Sequence, residues 1–308
     1  MYVGRYAPSP TGDLHLGNAR TALVAWLWAR HAGGRFLLRF EDLDRGRVRP
    51  GCAEAQARSL AWLGLDWDGE PVAQSGRGEL YDAAIATLRR RGVLYECFCS
   101  RADVRRAASA PHGPDGPLYG GTCRDLSESE RASRRALGRS PALRVRMEGA
   151  IELADDLQGA RSELLERTTG DIVLRRSDGV VAYQLAVVVD DDAQGVTHVV
   201  RGADLLASTA RQLRLYDLLG LTPVPTYAHV PLMLGDDGER LAKRHGAVGL
   251  DELRAGGADP RALVGWLAHS AGLLERPEPC TPAELVQGFD RVAIGRAPTR
   301  VRADTLRW

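Results

Sequence analysis

The sequence predicts an α/β fold: a parallel, nucleotide-binding sheet interrupted by a mixed insertion and closed by a short helical C-terminal segment. Three observations carry this reading. A short apolar strand over residues 2–6, a Pro/Gly-bent loop, a helical pattern from Ala19 and a second apolar strand over residues 36–40 make one βαβ unit. The alternation resumes late in the chain, with a strand over 197–201, a helix over 205–219 and a strand over 227–234. Between the two lies a stretch broken by Pro111, Pro114 and Pro117 and by Gly113, Gly116, Gly120 and Gly121.

Taken in order, the first helix is marked by Leu23, Trp26 and Leu27 at helical spacing and is stopped by Gly33-Gly34. Helical patterns follow over 53–63 and 80–91, then a short strand over 94–98. From residue 100 to 141 no regular element is expected. Residues 142–147 and 171–176 read as strands, and Ser177-Asp178-Gly179 as a hairpin turn into a further strand over 180–189. The tail, 250–308, is helical in pattern. The expected organisation is a first half of the sheet domain over 1–96, an insertion over 97–195, the second half over 196–249 and the tail over 250–308.

At 308 residues, with 44% hydrophobic and 26% charged residues, the composition is that of a soluble globular protein large enough for two or three lobes. Charges nearly cancel at +1, so no global field advertises nucleic acid. Arginine nonetheless dominates the positive set and clusters at 35–49, 101–106, 131–139 and 296–307; its planar fork suits phosphates and unpaired bases. No secretion signal or long apolar run occurs, which points to the cytoplasm. Five cysteines, an odd number, suit thiols or metal ligands better than a disulfide framework.

The most informative local feature is His15-Leu16-Gly17-Asn18, after the tight run Ala7-Pro8-Ser9-Pro10-Thr11-Gly12. A strand feeding such a loop and then a helix N-terminus offers backbone N–H groups and a positive dipole end to a phosphate. His15 there can donate to a phosphate oxygen, or it can merely cap the helix. Gly17 leaves room for a purine on bare backbone. Cys97-Phe98-Cys99 and Cys123 flank the Pro/Gly stretch. Their spacing fits three reduced structural thiols as well as three ligands of a tetrahedral Zn²⁺ site.

Taken together, the motifs resemble the class I aminoacyl-tRNA synthetases, and within them the glutamyl branch. His15-Leu16-Gly17-Asn18 is similar to the His-Ile-Gly-His signature, and residues 5–12 to the branch's opening. Arg39-Phe40-Glu41-Asp42-Leu43-Asp44, the run from Tyr183 to Asp190-Asp191, and Val200-Arg201-Gly202-Ala203-Asp204-Leu205 match further segments in order. Arg240-Leu241-Ala242-Lys243-Arg244 stands where the family carries Lys-Met-Ser-Lys-Ser, with arginine for the first lysine and alanine for the serine. The resemblance implies a Rossmann-like catalytic domain that activates L-glutamate with ATP and Mg²⁺. His15 and Lys243 would be the catalytic pair, and His15, Gly17, Asn18 and Lys243 would hold ATP. Arg5, Ser9, Glu41, Tyr183 and Arg201 would bind glutamate, with Glu41 taking the ammonium unless it pairs with Arg39 or Arg45. Whether Asp190 and Asp191 are catalytic or structural stays open.

The same resemblance turns the cysteines into one structural Zn²⁺ per chain, held by Cys97, Cys99, Tyr119 and Cys123, with His112 in the same loop as the other candidate for the fourth ligand. Only about 60 residues follow the lysine loop, too few for the large anticodon-binding body of the longer synthetases. This form matches the branch that esterifies queuosine at the wobble position of tRNA(Asp), acting as a monomer on the anticodon stem-loop. The competing expectations are a minimal enzyme charging a tRNA 3′ end and a non-catalytic RNA-binding paralogue.

Overall fold

The first strand, β1 (Val3–Tyr6), is four buried residues that feed helix α1 (Leu16–His31). This computed structural model describes residues 1–107, 118–235, 237–239, 241 and 249–301. Helix α1 begins three residues before the apolar periodicity does, because the His15 side chain caps it. It is apolar on nearly every face, as suits a helix enclosed by a sheet on one side and other helices on the other. β2 (Arg35–Phe40) pairs parallel with β1 from Val3 opposite Arg35 to Tyr6 opposite Leu38. α2 (Cys52–Trp62) leads to β3 (Val72–Ala73), parallel to β2, and then to α3 (Gly78–Arg90).

β4 (Leu94–Cys97) opens the insertion. Two helices follow where no regular element was expected, α4 (Arg101–Ala107) and α5 (Glu128–Ala136). The overlooked signal for α5 is a capping box: Ser127 Oγ accepts from the Glu130 N–H, and the Glu130 carboxylate accepts from Ser127 N–H at 2.7 Å. β5 (Ala142–Val145) pairs antiparallel with β4. β6 (Ala150–Asp155) and β7 (Gly159–Leu164) then form a hairpin that sequence reasoning missed. After the short α6 (Leu165–Thr168), β8 (Ile172–Arg175) completes the small antiparallel sheet β4-β5-β8.

The strand expected over 180–189 is instead helix α7 (Tyr183–Ala193), and only the isolated bridge Arg175–Val181 remains of the expected hairpin. β9 (His198–Gly202), α8 (Leu206–Leu219) and β10 (Thr226–Val230) restore the parallel pattern. The strand expected to run on to residue 234 breaks at Pro231, which lacks an N–H to donate, and resumes as β11 (Met233–Leu234). The tail contains α9 (Leu250–Ala255), α10 (Pro260–Ser270) and α11 (Pro282–Leu285), and its last element among the described residues is not a helix but β12 (Thr299–Arg300), parallel to β11. None of the helices among the described residues is long and apolar enough to cross a membrane.

Two parallel sets of strands, β3-β2-β1 and β9-β10-β6, lie edge to edge with β1 beside β9, and β7 runs antiparallel at the outer edge of the second set. The join between β1 and β9 is made by Thr197, whose N–H donates to Val3 O at 2.9 Å and whose Oγ1 accepts from Val3 N–H at 2.9 Å. β6, from the segment expected to form the insertion, thus extends this main sheet. Strand order reverses between β1 and β9, so connections leave in opposite directions and open a crevice at the carboxyl ends of these two strands.

Candidate active site

That crevice is a cleft of about 860 Å³. It is lined by Arg5, Ser9, His15, Gly17, Asn18, Glu41, Tyr183 and Arg201, eight of the residues singled out from the sequence. Lys243, Arg240, Ala242 and His112 lie outside the described residues. The described residues that flank the Lys243 segment are held to the site. At its entry, Leu241 N–H donates to Met233 O at 2.9 Å; at its exit, Leu250 N–H donates to Leu14 O at 2.8 Å, next to His15. Gly249 sits at that exit because a Cβ there would meet Asp13 Oδ2 at 1.9 Å, and that carboxylate accepts from Asp251 N–H at 3.0 Å.

His15 is the N-cap of α1. Its Nδ1 accepts from the N–H of Gly17 at 3.1 Å and of Asn18 at 3.3 Å, and the Asn18 side chain accepts from His15 N–H at 3.2 Å. An Nδ1 that accepts two N–H groups cannot carry a proton, so the neutral ring is protonated at Nε2. The capping reading of His15 holds in this geometry: Nδ1 caps α1, which leaves Nε2 to carry the ring proton. Gly17 has a closer reason for being glycine than room for a purine, since a Cβ there would meet His15 Cε1 at 3.0 Å.

Two buried carboxylates organise the opposite wall. Asp191, on α7, accepts from Arg5 Nε at 3.2 Å and from Arg39 Nη1 at 2.7 Å. Burial alone would raise its carboxyl pKa, but the Arg39 and Arg5 guanidinia hold it below the usual range. Asp190 accepts from Gln74 Nε2 at 2.8 Å, Tyr81 O–H at 2.9 Å and Arg77 Nε at 2.5 Å. Both carboxylates thus take their donors from arginine, glutamine and tyrosine side chains, and neither is among the residues that line the cleft. Asp190 and Asp191 fall seven and eight residues after Tyr183, a helical spacing that could have revealed the shared face. Glu41 Oε1 lies 3.6 Å from Arg39 Nη2, the pairing weighed from the sequence, and yet Glu41 also lines the cleft. Burial pushes its pKa up, while Arg39 opposes the rise.

Arg201, at the end of β9, donates from Nε to His229 Nε2 at 2.9 Å and from Nη2 to Thr209 Oγ1 at 2.9 Å. Its Nη1 reaches the Tyr183 hydroxyl at 3.5 Å. His229 was not anticipated.

The thiols form a separate centre. Cys97, Cys99 and Cys123 place their sulfurs within 4.8 Å of one another, with Cys99 and Cys123 at 3.6 Å. The edges of a tetrahedral site with metal–sulfur bonds of about 2.3 Å are roughly 3.8 Å, so this donor set fits Zn²⁺. The Tyr119 hydroxyl lies beside this trio, 3.4 Å from Cys97 Sγ, and accepts from Cys123 N–H at 2.8 Å. The Arg144 guanidinium sits 3.9 Å above the Tyr119 ring. Burial and the neighbouring Cys97 push the Cys99 thiol up to about 12, a crowding of potential thiolates that a bound cation would relieve.

Comparison with known proteins agrees with this geometry. Residues 2–302 match the family described as tRNA synthetases class I (E and Q), catalytic domain. A glutamyl-Q tRNA(Asp) synthetase of Symbiobacterium thermophilum is 52% identical over 316 residues, covering 99% of this chain and 98% of its own. One of Nocardia farcinica is 56% identical over 297 residues, covering 96% of this chain and 92% of its own. The crystal structure of glutamate-tRNA synthetase from Elizabethkingia anophelis superposes with a TM-score of 0.85 at 28% identity, over 98% of this chain and 68% of that one. With the parallel sheet, the histidine-capped helix and the arginine-lined cleft in place, this chain belongs to the class I tRNA synthetase (E and Q) catalytic-domain family.

Proposed function

We propose that this ligase activates L-glutamate with ATP and transfers the glutamyl group to the cyclopentene diol of queuosine, at the wobble position of tRNA(Asp). The observation that carries the reading is the match, over nearly the whole chain, to relatives named glutamyl-Q tRNA(Asp) synthetase. A cleft that gathers Arg5, Glu41, Tyr183 and Arg201 beside the His15 cap supports it. In the first step a carboxylate oxygen of glutamate attacks the α-phosphorus of ATP, and the bond to the β-phosphate breaks, releasing pyrophosphate. In the second, a queuosine hydroxyl attacks the adenylate carbonyl; an ester forms, AMP leaves and the hydroxyl proton is lost.

Both steps need positioning and charge neutralisation more than covalent help. Arg5, Ser9 and Arg201 hold the carboxylates of glutamate, Glu41 takes the ammonium and Tyr183 closes the wall. His15 Nε2–H faces the phosphates together with Mg²⁺, while Gly17 and Asn18, whose N–H groups donate to His15 Nδ1, hold that ring at the ATP site. Lys243 meets the charge developing on pyrophosphate, and Arg240 supplies the second cation of that loop. The Nη1 ends of Arg5 and Arg201, the nitrogens not spent on Asp191, His229 and Thr209, bring positive charge to the side-chain carboxylate, which favours glutamate over neutral glutamine. The anticodon stem-loop would be read by shape, phosphate contacts and a splayed base.

The test is transfer of labelled glutamate to tRNA(Asp) with and without queuosine. Labelling only of the queuosine form, surviving removal of the 3′ end, is the expected result. Label on the 3′ adenosine of either form would make the protein a minimal charging enzyme instead.

Cys97, Cys99, Tyr119 and Cys123 hold a structural Zn²⁺, which when bound orders a segment whose own apolar cluster is small. Metal analysis of purified protein is expected to find about one zinc per chain, and Cys123→Ala to abolish it. Zinc retained in Tyr119→Phe but lost in His112→Ala would move the fourth ligand to His112.

A further inference from the structure

Behind Arg201 lies a chain of side chains that neither the motifs nor the proposed chemistry requires. Asp155 closes β6, His229 sits in β10, and both side chains are 0% exposed. Asp155 Oδ1 accepts from the N–H groups of Leu157 at 3.0 Å and Gln158 at 2.7 Å, which fixes the carboxylate. Its Oδ2 lies 2.5 Å from His229 Nδ1. A carboxylate only accepts, so Nδ1 carries the imidazole proton. Arg201 is permanently protonated and its Nε only donates, so His229 Nε2, 2.9 Å away, offers its lone pair. The two demands select one neutral tautomer. Burial lowers the His229 pKa; Asp155 opposes the fall and the Arg201 charge adds to it, with a net lowering in keeping with a neutral ring. Thr209 Oγ1, 3.3 Å from the same Nε2, accepts from Arg201 Nη2. The Nε/Nη2 edge of the guanidinium is thereby held inward, and Nη1 is the nitrogen aimed at Tyr183.

We infer that Asp155 and His229 are positioning residues for glutamate: by locking the imidazole tautomer, Asp155 makes His229 the acceptor that sets which edge of Arg201 faces the substrate. This rests on the reading that Arg201 binds glutamate. The arrangement matters because a guanidinium that can swivel loses its match to a planar carboxylate. Asp155 touches neither Arg201 nor the cleft, so an effect of Asp155 on glutamate must pass through the histidine.

The test is ATP–pyrophosphate exchange on the full chain, with KM measured separately for glutamate and ATP. Asp155→Asn leaves the size of the side chain but turns a donor toward Nδ1, which drives the imidazole to the Nε2–H form and sets it against Arg201 Nε–H. It is expected to raise the glutamate KM about 10- to 100-fold, the loss of one buried hydrogen bond to a charged group, and to leave the ATP KM unmoved. His229→Phe should do the same. His229→Gln, whose amide oxygen can stand near the Nε2 position, should recover most of the affinity. Adding Asp155→Asn to His229→Gln should cost little more, because no imidazole remains to be flipped. If His229→Phe does not fold, Asp155→Asn decides alone. Glutamate KM unchanged in Asp155→Asn while Arg201→Lys raises it, or equal rises for glutamate and ATP, would overturn the inference and leave the glutamate site standing. An unchanged glutamate KM in Arg201→Lys would overturn both.

Discussion

Asp191→Asn is expected to lower stability by about 3 kcal/mol or more, because it strands buried arginines rather than removing a surface pair. Arg5 and Arg39 are 3% and 0% exposed, and both donate to this one carboxylate. Asparagine keeps the volume but removes the neutralising charge, and the neighbouring carboxylates lie farther from Arg39, Glu41 at 3.6 Å and Asp190 at 3.9 Å. A drop in the thermal midpoint on the order of 10 °C is expected, together with weaker glutamate binding because Arg5 loses its anchor. A midpoint within a degree or so of wild type would show that Glu41 and Asp190 already neutralise the pair. The effect also has a pH signature. The native carboxyl sits below its unfolded value, so its stabilisation is full above the ordinary carboxylate range and fades as pH falls through the depressed native value. Wild type should lose part of its advantage over Asp191→Asn on acidification.

His15 gives the second large effect, and two substitutions separate its two nitrogens. His15→Ala removes the cap of α1, a loss of about 1 kcal/mol, and also the Nε2–H donor. His15→Asn restores a favoured N-cap without restoring that donor. Both should slow glutamyl-adenylate formation by about 10²- to 10³-fold, the usual cost of deleting one oriented donor to developing charge. Only the alanine variant should show the lower thermal midpoint. Exchange at near wild-type rate in His15→Asn would reduce the histidine to a helix cap.

The parts of this protein legible in the sequence are those whose signal is local. β1, α1 and β2 announce themselves through an apolar run, a period and a glycine stop, and the cleft residues on their ends follow from those elements. α7 misled because Val187-Val188-Val189 is a β-branched run that prefers strands in isolation. Its surroundings decide otherwise, since it packs between α3 and α8 with valines buried and Asp190 and Asp191 bonded inward. β7 was missed because Arg161, Ser162 and Glu163 make it a polar edge strand, which guards the sheet against further pairing but carries little apolar alternation. β12 is two residues long and is visible only in its pairing with β11. The Asp155–His229 pair spans 74 residues, and no periodicity links partners that meet only across β6 and β10.

The tail has a consequence for how the molecule comes into being. Leu263, Val264, Leu267, Ile294 and Val301 belong to the same apolar cluster as Leu23, Leu27 and Phe36, and Arg20 of α1 donates to Ser270 O at 3.1 Å and to Thr299 Oγ1 at 2.8 Å. Helix α1 is thus covered by elements synthesised long after it. The cluster of α3, α7 and α8 draws only on intermediate residues and can assemble while translation continues. The half that contains α1 must wait, its tryptophan-bearing helix uncovered, until residues 260–301 emerge. Synthesis order therefore runs against assembly order at the His15 end of the cleft, and a nascent chain stalled before residue 260 would present that apolar helix to whatever holdase attends the exit tunnel.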